Sequence, residues 1–302
     1  MIKRCFLSFI LILALALSGC GLSGETADTG AALLKVDTYS VSYTKALLLI
    51  IGQRNLVEST YGVSIWDAQI DDGDMSEYLL DTMKGRIGLC FAGACLARES
   101  GVSLTDDEQA LVDSAAEYLY AKMSAALRSS LSVDVKMLTE LYTDYRLACR
   151  GYEEILSGTD IEISRDEARV IVLGKALVLE DGTYDEAGQF VSNVKRGELD
   201  ASQEEIAFAL HTGQISEPFT EGGISYAFKC INSYEETLSA ANREELTREA
   251  MQDCYVQALK SFVETHPVVW NDKLWESIDM NSLNYSESTD FYDVYEMFFG
   301  EL

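Results

Sequence analysis

The chain is poor in histidine and proline. Only His211 and His266 occur among its 302 residues, and proline occurs only at Pro218 and Pro267. A zinc site built from nitrogen and sulfur ligands is not expected with so few histidines. The sequence also lacks a Ser-His-Asp arrangement and a glycine-rich phosphate loop. It therefore predicts no metal and no cofactor, and it excludes the common hydrolase and nucleotide-binding classes.

Cysteine occurs without a pattern that would explain it. Five cysteines lie beyond the N-terminal region, at Cys90, Cys95, Cys149, Cys230 and Cys254. They are odd in number, and their spacing matches neither a disulfide framework nor a metal motif. We therefore expect buried or free thiols.

Positive charge is scarce as well. The chain has 23 lysines and arginines against 50 aspartates and glutamates, which gives a formal net charge of −27. Such a surface repels phosphate backbones and anionic headgroups, so nucleic acid is not an expected partner. An acidic excess more often serves solubility than binding, although it weakly favours basic or unfolded cationic partners.

A long apolar run is present only at the N-terminus. Lys3 and Arg4 precede "CFLSFILILALAL", and "LSGC" follows, ending at Cys20. The run is short for a membrane span, and this order of segments is typical of a cleaved signal. "LSGC" resembles a lipobox residue for residue, which implies a lipoprotein signal peptide over 1–20 and a lipid on Cys20. The small, polar residues that follow predict a flexible tether over 21–35.

Helical periodicity dominates the next part of the chain, from Tyr43 to about Ser157. It predicts four helices, over 43–62, 75–101, 104–127 and 133–156. Thr105 and Glu108 have the spacing of a capping box at the start of the third helix. An apolar stripe on that helix is predicted to comprise Leu111, Ala115, Leu119, Met123 and Ala126.

The hydrophobic period then changes. "RVIVLGKALVL", residues 169–179, predicts a strand, and "DEAGQFVSNVKRG", residues 185–197, predicts a short amphipathic helix. A second short helix is predicted in "SQEEIAFALHTG", with Ser202 and Glu205 as its capping box. "ISEPF" and "GISYAFKCI" predict two strands before helical periodicity resumes. The predicted fold class is α+β, a mainly helical domain with a small α+β domain inserted.

This order of elements resembles the SurA and PrsA type of extracytoplasmic folding factor. "VDTYSVSYTKALLLIIGQRNLVESTYGVSIW" looks like the opening of a SurA N-terminal domain, and "ESGVSLTDDE" and "ISRDEAR" look like two further junctions. "FALHTGQISEPF" is similar to a parvulin segment of the PpiC type. The resemblance implies a helical domain over 36–160, completed by a returning helix over 235–264. It also implies a degenerate, shortened parvulin-like domain over 161–234, in which a glycine-rich middle with a central strand is missing.

Parvulins turn X-Pro peptide bonds, whose rotation barrier is about 18–20 kcal/mol, with histidines and a Cys or Asp beside an apolar proline pocket. By the resemblance, the first-strand histidine is replaced here by Val170 or Lys175, and the last-strand histidine by Tyr226. The pocket positions hold Leu199 and Gln203. The resemblance therefore implies a parvulin-type isomerase that is weak or inactive. His211, at the end of a short predicted helix, is expected to cap that helix.

The C-terminal segment, residues 265–302, combines many acids with many aromatic side chains. Trp270 and Trp275 are predicted to be core anchors for the helical domain. The remaining Tyr- and Phe-rich part fits a docking strip over a client groove, a partner-binding tail or disorder.

Three functions remain open on these grounds. The first is a chaperone or foldase, anchored through Cys20 at the extracytoplasmic face of a bacterial membrane, that binds unfolded or extended polypeptides. We expect the helical domain to contribute holdase activity. The second is an active peptidyl-prolyl cis-trans isomerase of the parvulin type. The third is a surface lipoprotein with a solute-binding or adhesive role.

Overall fold

The computed structural model describes residues 31–70, 73–283 and 290–300. The predicted signal peptide, Cys20 and most of the predicted tether lie outside these residues. The chain divides into two compact units. The first takes in the described residues up to Gly158 and from Tyr255 onward, and the second is Thr159–Cys254. The predicted fold class, a mainly helical α+β chain, is confirmed.

The helices in chain order are α1 (Tyr43–Tyr61), α2 (Met75–Glu99), α3 (Asp106–Lys122), α4 (Ala125–Ser130), α5 (Val135–Ser157), α6 (Ala201–Ala209), α7 (Glu236–Thr265), α8 (Asp272–Glu276) and α9 (Phe291–Phe299). The strands are β1 (Ala32–Val36), β2 (Tyr39–Ser42), β3 (Gln69–Ile70), β4 (Gly73–Asp74), β5 (Ile171–Leu177), β6 (Phe190–Val194), β7 (Phe219–Glu221), β8 (Ile224–Asn232) and β9 (Val268–Trp270). Among the described helices, none combines the length and the apolar character that a membrane span requires.

A three-stranded antiparallel sheet in the order β2-β1-β9 opens the first unit. Leu33 and Leu34 of β1 are buried in the main hydrophobic core. The predicted flexible tether is therefore wrong for residues 32–35, which are a packed strand. The run of small, polar residues from which the tether was predicted ends before "ALLKV". The apolar side chains of this segment can be buried when it pairs as a strand.

Helices α1 to α5 form the core of the first unit. Helix α1 is buried on all sides from Thr44 to Arg54, as expected for a helix without a polar face. Gly151 of α5 lies against Ala97 of α2, where an added Cβ would stand 2.8 Å from the Ala97 Cβ. The absence of a side chain at Gly151 therefore lets these two helices approach closely.

The third predicted helix is correct in its start and wrong in its length. The capping box is confirmed, because the Glu108 backbone N–H donates to Thr105 Oγ1 at 3.2 Å and the Thr105 N–H donates to Glu108 Oε2 at 2.9 Å. The chain leaves the helical conformation at Met123 and starts again at α4, which Ser124 caps. The predicted stripe is confirmed at Ala115, Leu119 and Met123, which are buried, and is wrong at its ends, because Leu111 and Ala126 are exposed.

The C-terminal segment belongs to the first unit wherever it is described. Trp270 and Trp275 are buried and pack edge to face with ring centroids 5.1 Å apart, which confirms the prediction of core anchors. Helix α9 inserts Phe291 and Tyr295 into the core. Tyr142 of α5 stacks on Phe291 at 4.4 Å, and its hydroxyl donates to the Phe291 carbonyl at 3.1 Å. Disorder and a partner-binding tail are therefore wrong interpretations for residues 290–300, whose Phe291 and Tyr295 are part of the core.

Asp144 of α5 is the centre of a buried polar cluster in the same unit. Its carboxylate accepts from Arg98 at 2.5 Å, pairs with Lys45 at 3.5 Å and accepts from the Tyr39 hydroxyl. Burial and the neighbouring Asp144 charge raise the pKa of Tyr39. The guanidinium of Arg98 also lies 4.9 Å from the centre of the Tyr39 ring. The cluster ties β2, α1, α2 and α5 together through one carboxylate.

The second unit is built on a four-stranded antiparallel sheet in the order β6-β5-β8-β7. One face packs against α6, and its core is formed by Ile171, Leu173, Val194, Ala207, Phe208 and Phe228. The helix predicted over 185–197 is wrong, because Phe190–Val194 is strand β6, preceded by a short 3-10 turn. The sequence analysis also expected that the central strand of the parvulin pattern is missing. This expectation is corrected, because β6 is a strand between β5 and the short helix α6.

Short helix α6 is capped differently from the prediction. Asp200 is the N-cap and accepts from the Gln203 N–H at 3.0 Å, so the predicted capping box of Ser202 and Glu205 is wrong. The returning helix is present as α7, and its residues are shared between the two units. Within the second unit, Ser239 of α7 accepts from the Val170 N–H at 2.9 Å.

Candidate functional site

The strand register brings Lys175 and Tyr226 together on one face of the second sheet. Lys175 lies opposite Phe190 of β6 and Phe228 of β8, and Leu177 lies opposite Tyr226. Residues directly opposite in an antiparallel pair share a face, and alternate residues of one strand share it too. These side chains therefore lie on the face that α6 partly covers. The Lys175 ammonium is 4.8 Å from the centre of the Tyr226 ring.

Part of this face is left exposed. The same register adds Phe219, opposite Tyr226, and Ile224 on the following strand. We call the following set the open face: Lys175, Leu177, Phe190, Phe219, Ile224 and Tyr226. Three of its apolar side chains, those of Leu177, Phe190 and Ile224, are exposed. The open face is thus the continuation of the small core beyond the end of its covering helix.

Aromatic rings form the floor of the open face. The rings of Phe219 and Phe228 are 4.6 Å apart, and those of Phe219 and Tyr226 are 6.3 Å apart. The Lys175 ammonium lies 5.8 Å from the Phe219 ring as well as close to Tyr226. An ammonium group over ring faces is attracted by the ring quadrupoles. Lys175 is held above this floor by two rings.

The charge of Lys175 is matched by a carboxylate that sequence reasoning missed. Glu221, at the end of β7, forms an ion pair with the Lys175 ammonium, and Gln203 Nε2 donates to the same oxygen at 3.3 Å. Gly222 and Gly223 follow with φ of +57° and +82°, values that favour glycine. The "TEGG" sequence predicted the turn of a hairpin. It gave no indication that Glu221 would pair with Lys175.

Asp200 adds a second carboxylate near Lys175. The hydrogen bonds from the Gln203 N–H and the Ser202 side chain lower the pKa of Asp200, and the Lys175 charge contributes in the same direction. The polar part of the site is therefore one cation with two carboxylates and an amide. None of these groups is a histidine.

The other predicted site residues lie elsewhere or at the margin. Val170 is buried, and its backbone N–H and carbonyl are bonded to Ser239 and to the Glu235 N–H. Of the two first-strand alternatives, only Lys175 reaches Tyr226. Leu199 packs half-buried against the small core. His211 lies beyond the end of α6 and contacts Gln214 rather than capping the helix.

Cysteines and potential metal ligands do not add to the site. The five cysteines among the described residues are free thiols, and Cys149 and Cys230 are buried. Within 31–70, 73–283 and 290–300, no three histidine, cysteine or acidic side chains come together as a metal ion would require.

Comparison with known proteins yields structural likeness alone. No protein-family model matches the chain, and no curated protein matches it. A solved peptidyl-prolyl isomerase, PrsA of Bacillus cereus, matches with 14% identity and a TM-score of 0.33, covering 90% of this chain and 100% of that one. The foldase PrsA of Lactococcus lactis matches with 12% identity and a TM-score of 0.31, covering 86% and 100%.

A third match comes from work on two structurally related SurA-like chaperones of Campylobacter jejuni. It has 12% identity and a TM-score of 0.29, and it covers 80% of this chain and 98% of that one. Likeness at such TM-scores supports no conclusion about function. The chain is similar in structure, at low sequence identity, to foldases of the PrsA type and chaperones of the SurA type.

Proposed function

We propose that this protein is a lipid-anchored, extracytoplasmic chaperone that binds unfolded or extended polypeptides, and that its isomerase chemistry is lost. The observation that carries the proposal is the open face, where exposed apolar side chains continue an aromatic floor. A surface of this kind on a small soluble unit is typical of a binding site for apolar segments. The polar groups around it can orient a peptide backbone.

The open face is better suited to binding than to turning a proline bond. Lys175 is engaged by Glu221 and by two rings, so its ammonium is not free to polarise a substrate amide. Catalysis requires groups that act more strongly on the twisted transition state than on the ground state. Tyr226 contributes its ring to the Lys175 contact, and Gln203 is turned to Glu221. This support concerns the second unit, whereas sequence reasoning expected the holdase activity from the helical domain.

An aggregation assay tests the chaperone proposal. Protein lacking residues 1–20 is expected to slow the aggregation of a reduced, unfolding client at near-stoichiometric amounts without ATP. The matched comparison is the Phe190→Ser variant, because Phe190 is 71% exposed and its loss should leave the fold intact. The variant is expected to protect the client less well. An absence of protection at several-fold excess, with acidic and basic clients alike, would favour the solute-binding or adhesive alternative.

An active isomerase is the second candidate, favoured by one observation. Lys175 and Tyr226 both carry hydrogen-bond donors and stand next to each other over an aromatic floor. An assay on X-Pro peptides separates the two functions. We expect little acceleration, and Tyr226→Phe should leave any residual rate unchanged. A fast rate that collapses in Tyr226→Phe would show that a substituted network is catalytic.

The membrane anchor is proposed from "LSGC" alone, since Cys20 lies outside the described residues. In a bacterial host, Cys20→Ala is expected to release the protein from the membrane fraction or to leave the signal uncleaved. Mass spectrometry of the mature N-terminus provides the check. Mature, membrane-bound protein with an unmodified Cys20 would exclude the lipid anchor.

A further inference from the structure

Strand β6 is a free edge of the second sheet. It ends the strand order β6-β5-β8-β7, and all five of its residues pair with β5 on one side. In the described part of the chain, Phe190–Val194 makes no backbone hydrogen bond outside that pairing. One row of backbone N–H and carbonyl groups therefore points away from the sheet and is available to another strand.

The opposite edge of the same sheet is protected. Strand β7 has three residues, carries the charged Glu221 and ends at two glycines. Beyond it, Ile215 forms an isolated bridge to Lys229, so a second segment covers the rest of β8. A short, charged and glycine-flanked edge is a common means of preventing further pairing.

Strand β6 has none of these protections. Its sequence "FVSNV" contains no charge, proline or glycine, and its register with β5 has no bulge. Phe190 is 71% exposed on the open face, and Val191 is 46% exposed on the other face. An incoming strand would thus find apolar side chains on both of its sides as well as free backbone groups. This combination is the one used in strand addition, where the main chain supplies affinity.

Charge decides between the two kinds of strand that could occupy the edge. A second copy of this chain would bring together two molecules of net charge −27 each, which repel one another. Asp185 and Glu186, just before β6, are also acidic, although Glu186 is paired with Lys229. A cationic segment is attracted by the same charges, and a neutral segment is not repelled by them.

We propose that β6 binds an extended polypeptide segment as a fifth strand of the second sheet, and that it prefers neutral or cationic segments with alternating apolar residues. In this arrangement, the apolar side chains of the segment lie on one face and cover Phe190 on the open face, while its intervening side chains lie beside Val191 on the opposite face. The inference rests on the proposed chaperone function and specifies how the client is held.

Peptide binding with matched variants tests the inference. The probe is a fluorescently labelled ten-residue peptide of alternating valine and lysine, and its counterpart carries glutamate in place of lysine. Val191→Lys places a charge on the edge and is expected to weaken binding of the valine–lysine peptide about tenfold, a free-energy change of about 1.4 kcal/mol. Ile215→Lys is the control, because both side chains are 46% exposed in the same unit. It should change the affinity less than about twofold.

Hydrogen exchange provides a readout that side-chain docking would not change. Addition of the valine–lysine peptide is expected to slow amide exchange within residues 190–194. The glutamate peptide should bind at least about tenfold more weakly, with a preference that declines as salt is added. Phe190→Ser is a second edge variant should Val191→Lys fail to fold.

The possible outcomes separate the inference from the function. Peptide binding without protection of residues 190–194, or binding that Val191→Lys and Phe190→Ser leave unchanged, would overturn strand addition while the chaperone function stands. The absence of both peptide binding and client protection would remove the proposed function and the inference with it. A dimer in sedimentation experiments that Val191→Lys dissociates would identify a second copy as the occupant and overturn the client assignment.

Discussion

The first unit buries its large apolar side chains, whereas the smaller second unit displays them. Among the described residues, the first unit exposes Tyr61, Val63, Tyr78, Leu111 and Met297. The second exposes Leu177, Leu179, Phe190, Val191, Ile215, Ile224, Ile231 and Leu238. Scattered apolar residues on a surface need no explanation, but a concentration of them in the smaller unit does, with five of the eight in strands of its one sheet.

The difference extends to polar groups. In the first unit, Asp144 is 2% exposed and has three partners, so its charge is compensated inside the core. In the second unit, the corresponding ion pair of Lys175 and Glu221 lies at the surface over aromatic rings. One arrangement stabilises a scaffold, and the other leaves polar and apolar groups within reach of a ligand. Substitutions in the two units should therefore have opposite consequences for stability and for binding.

The largest effect on stability is expected from the buried cluster of the first unit. Asp144→Ala removes the buried carboxylate that Arg98 and Tyr39 share and leaves Lys45 with the half-exposed Glu140, at 3.0 Å. Breaking a buried ion pair by removing one partner typically costs about 3–5 kcal/mol. Urea denaturation measures the free energy of unfolding. The control is Asp113→Ala, because Asp113 is exposed and accepts a hydrogen bond from Gln109 on its own helix. A loss for Asp144→Ala as small as that of the control would mean that the cluster is not a core element.

A somewhat smaller loss is expected at the C-terminal helix. Phe291→Ala removes a ring that stacks on Tyr142, and such truncations typically cost about 3–4 kcal/mol with the cavity included. Met297→Ala on the same helix is the matched control, since Met297 is 59% exposed. Equal denaturation midpoints for both variants would show that α9 is not docked in the core.

The C-terminal helix illustrates what the sequence could and could not predict about the fold. Trp270 and Trp275 were predictable as core anchors because large rings rarely remain exposed. Residues 290–300 were not predictable as part of the core, because acids are interspersed with the aromatic residues and mask the apolar side of a short helix.

Strand β6 was missed for a related reason. A five-residue segment satisfies either period, and pairing with β5, distant in sequence, decides its conformation.

The site was predictable in part on similar grounds. Lys175 and Tyr226 were found because each lies in a strand with a recognisable pattern. Glu221 was missed because its partner Lys175 is 46 positions away, a separation that only the folded sheet brings together. Asp200 was missed as the helix cap because Ser202 offered a capping-box pattern two residues later.

A moderate, pH-dependent effect is expected at Asp290, the N-cap of α9. Burial raises the pKa of Asp290 to about 6, and the nearby Asp293 and Glu296 act in the same direction. The unfolded value is about 3.9, so the folded state holds the proton more tightly. The contribution of Asp290 to the free energy of unfolding is therefore lost as the pH rises from about 4 to about 6.

Asp290→Asn tests this sign directly. Asparagine can still accept from the Tyr292 and Asp293 N–H groups, at 2.9 and 3.0 Å in the present structure, and it carries no charge. We expect a gain on the order of 1 kcal/mol at pH 7.5 and a weaker pH dependence between pH 4 and 6. The measurement is urea denaturation across that range, with Asp113→Asn as the control. A variant that is less stable at pH 7.5 would contradict the raised pKa.

The smallest effect on stability is expected on the open face. Substitutions there test most directly whether the second unit, rather than the first, binds the client. Leu177 is 42% exposed in the second unit and Leu111 is 38% exposed in the first, so the two leucines form a matched pair. Surface substitutions of this kind usually change the free energy of unfolding by no more than about 0.5 kcal/mol, and both Leu177→Ser and Leu111→Ser should stay within that range.

Client protection in the aggregation assay should distinguish the two variants. Leu177→Ser removes an apolar contact next to Tyr226 and should reduce protection, whereas Leu111→Ser should not. Equal protection by both variants would mean that exposed apolar residues act without regard to the unit that carries them, and a larger loss in Leu111→Ser would move the binding surface to the helical unit.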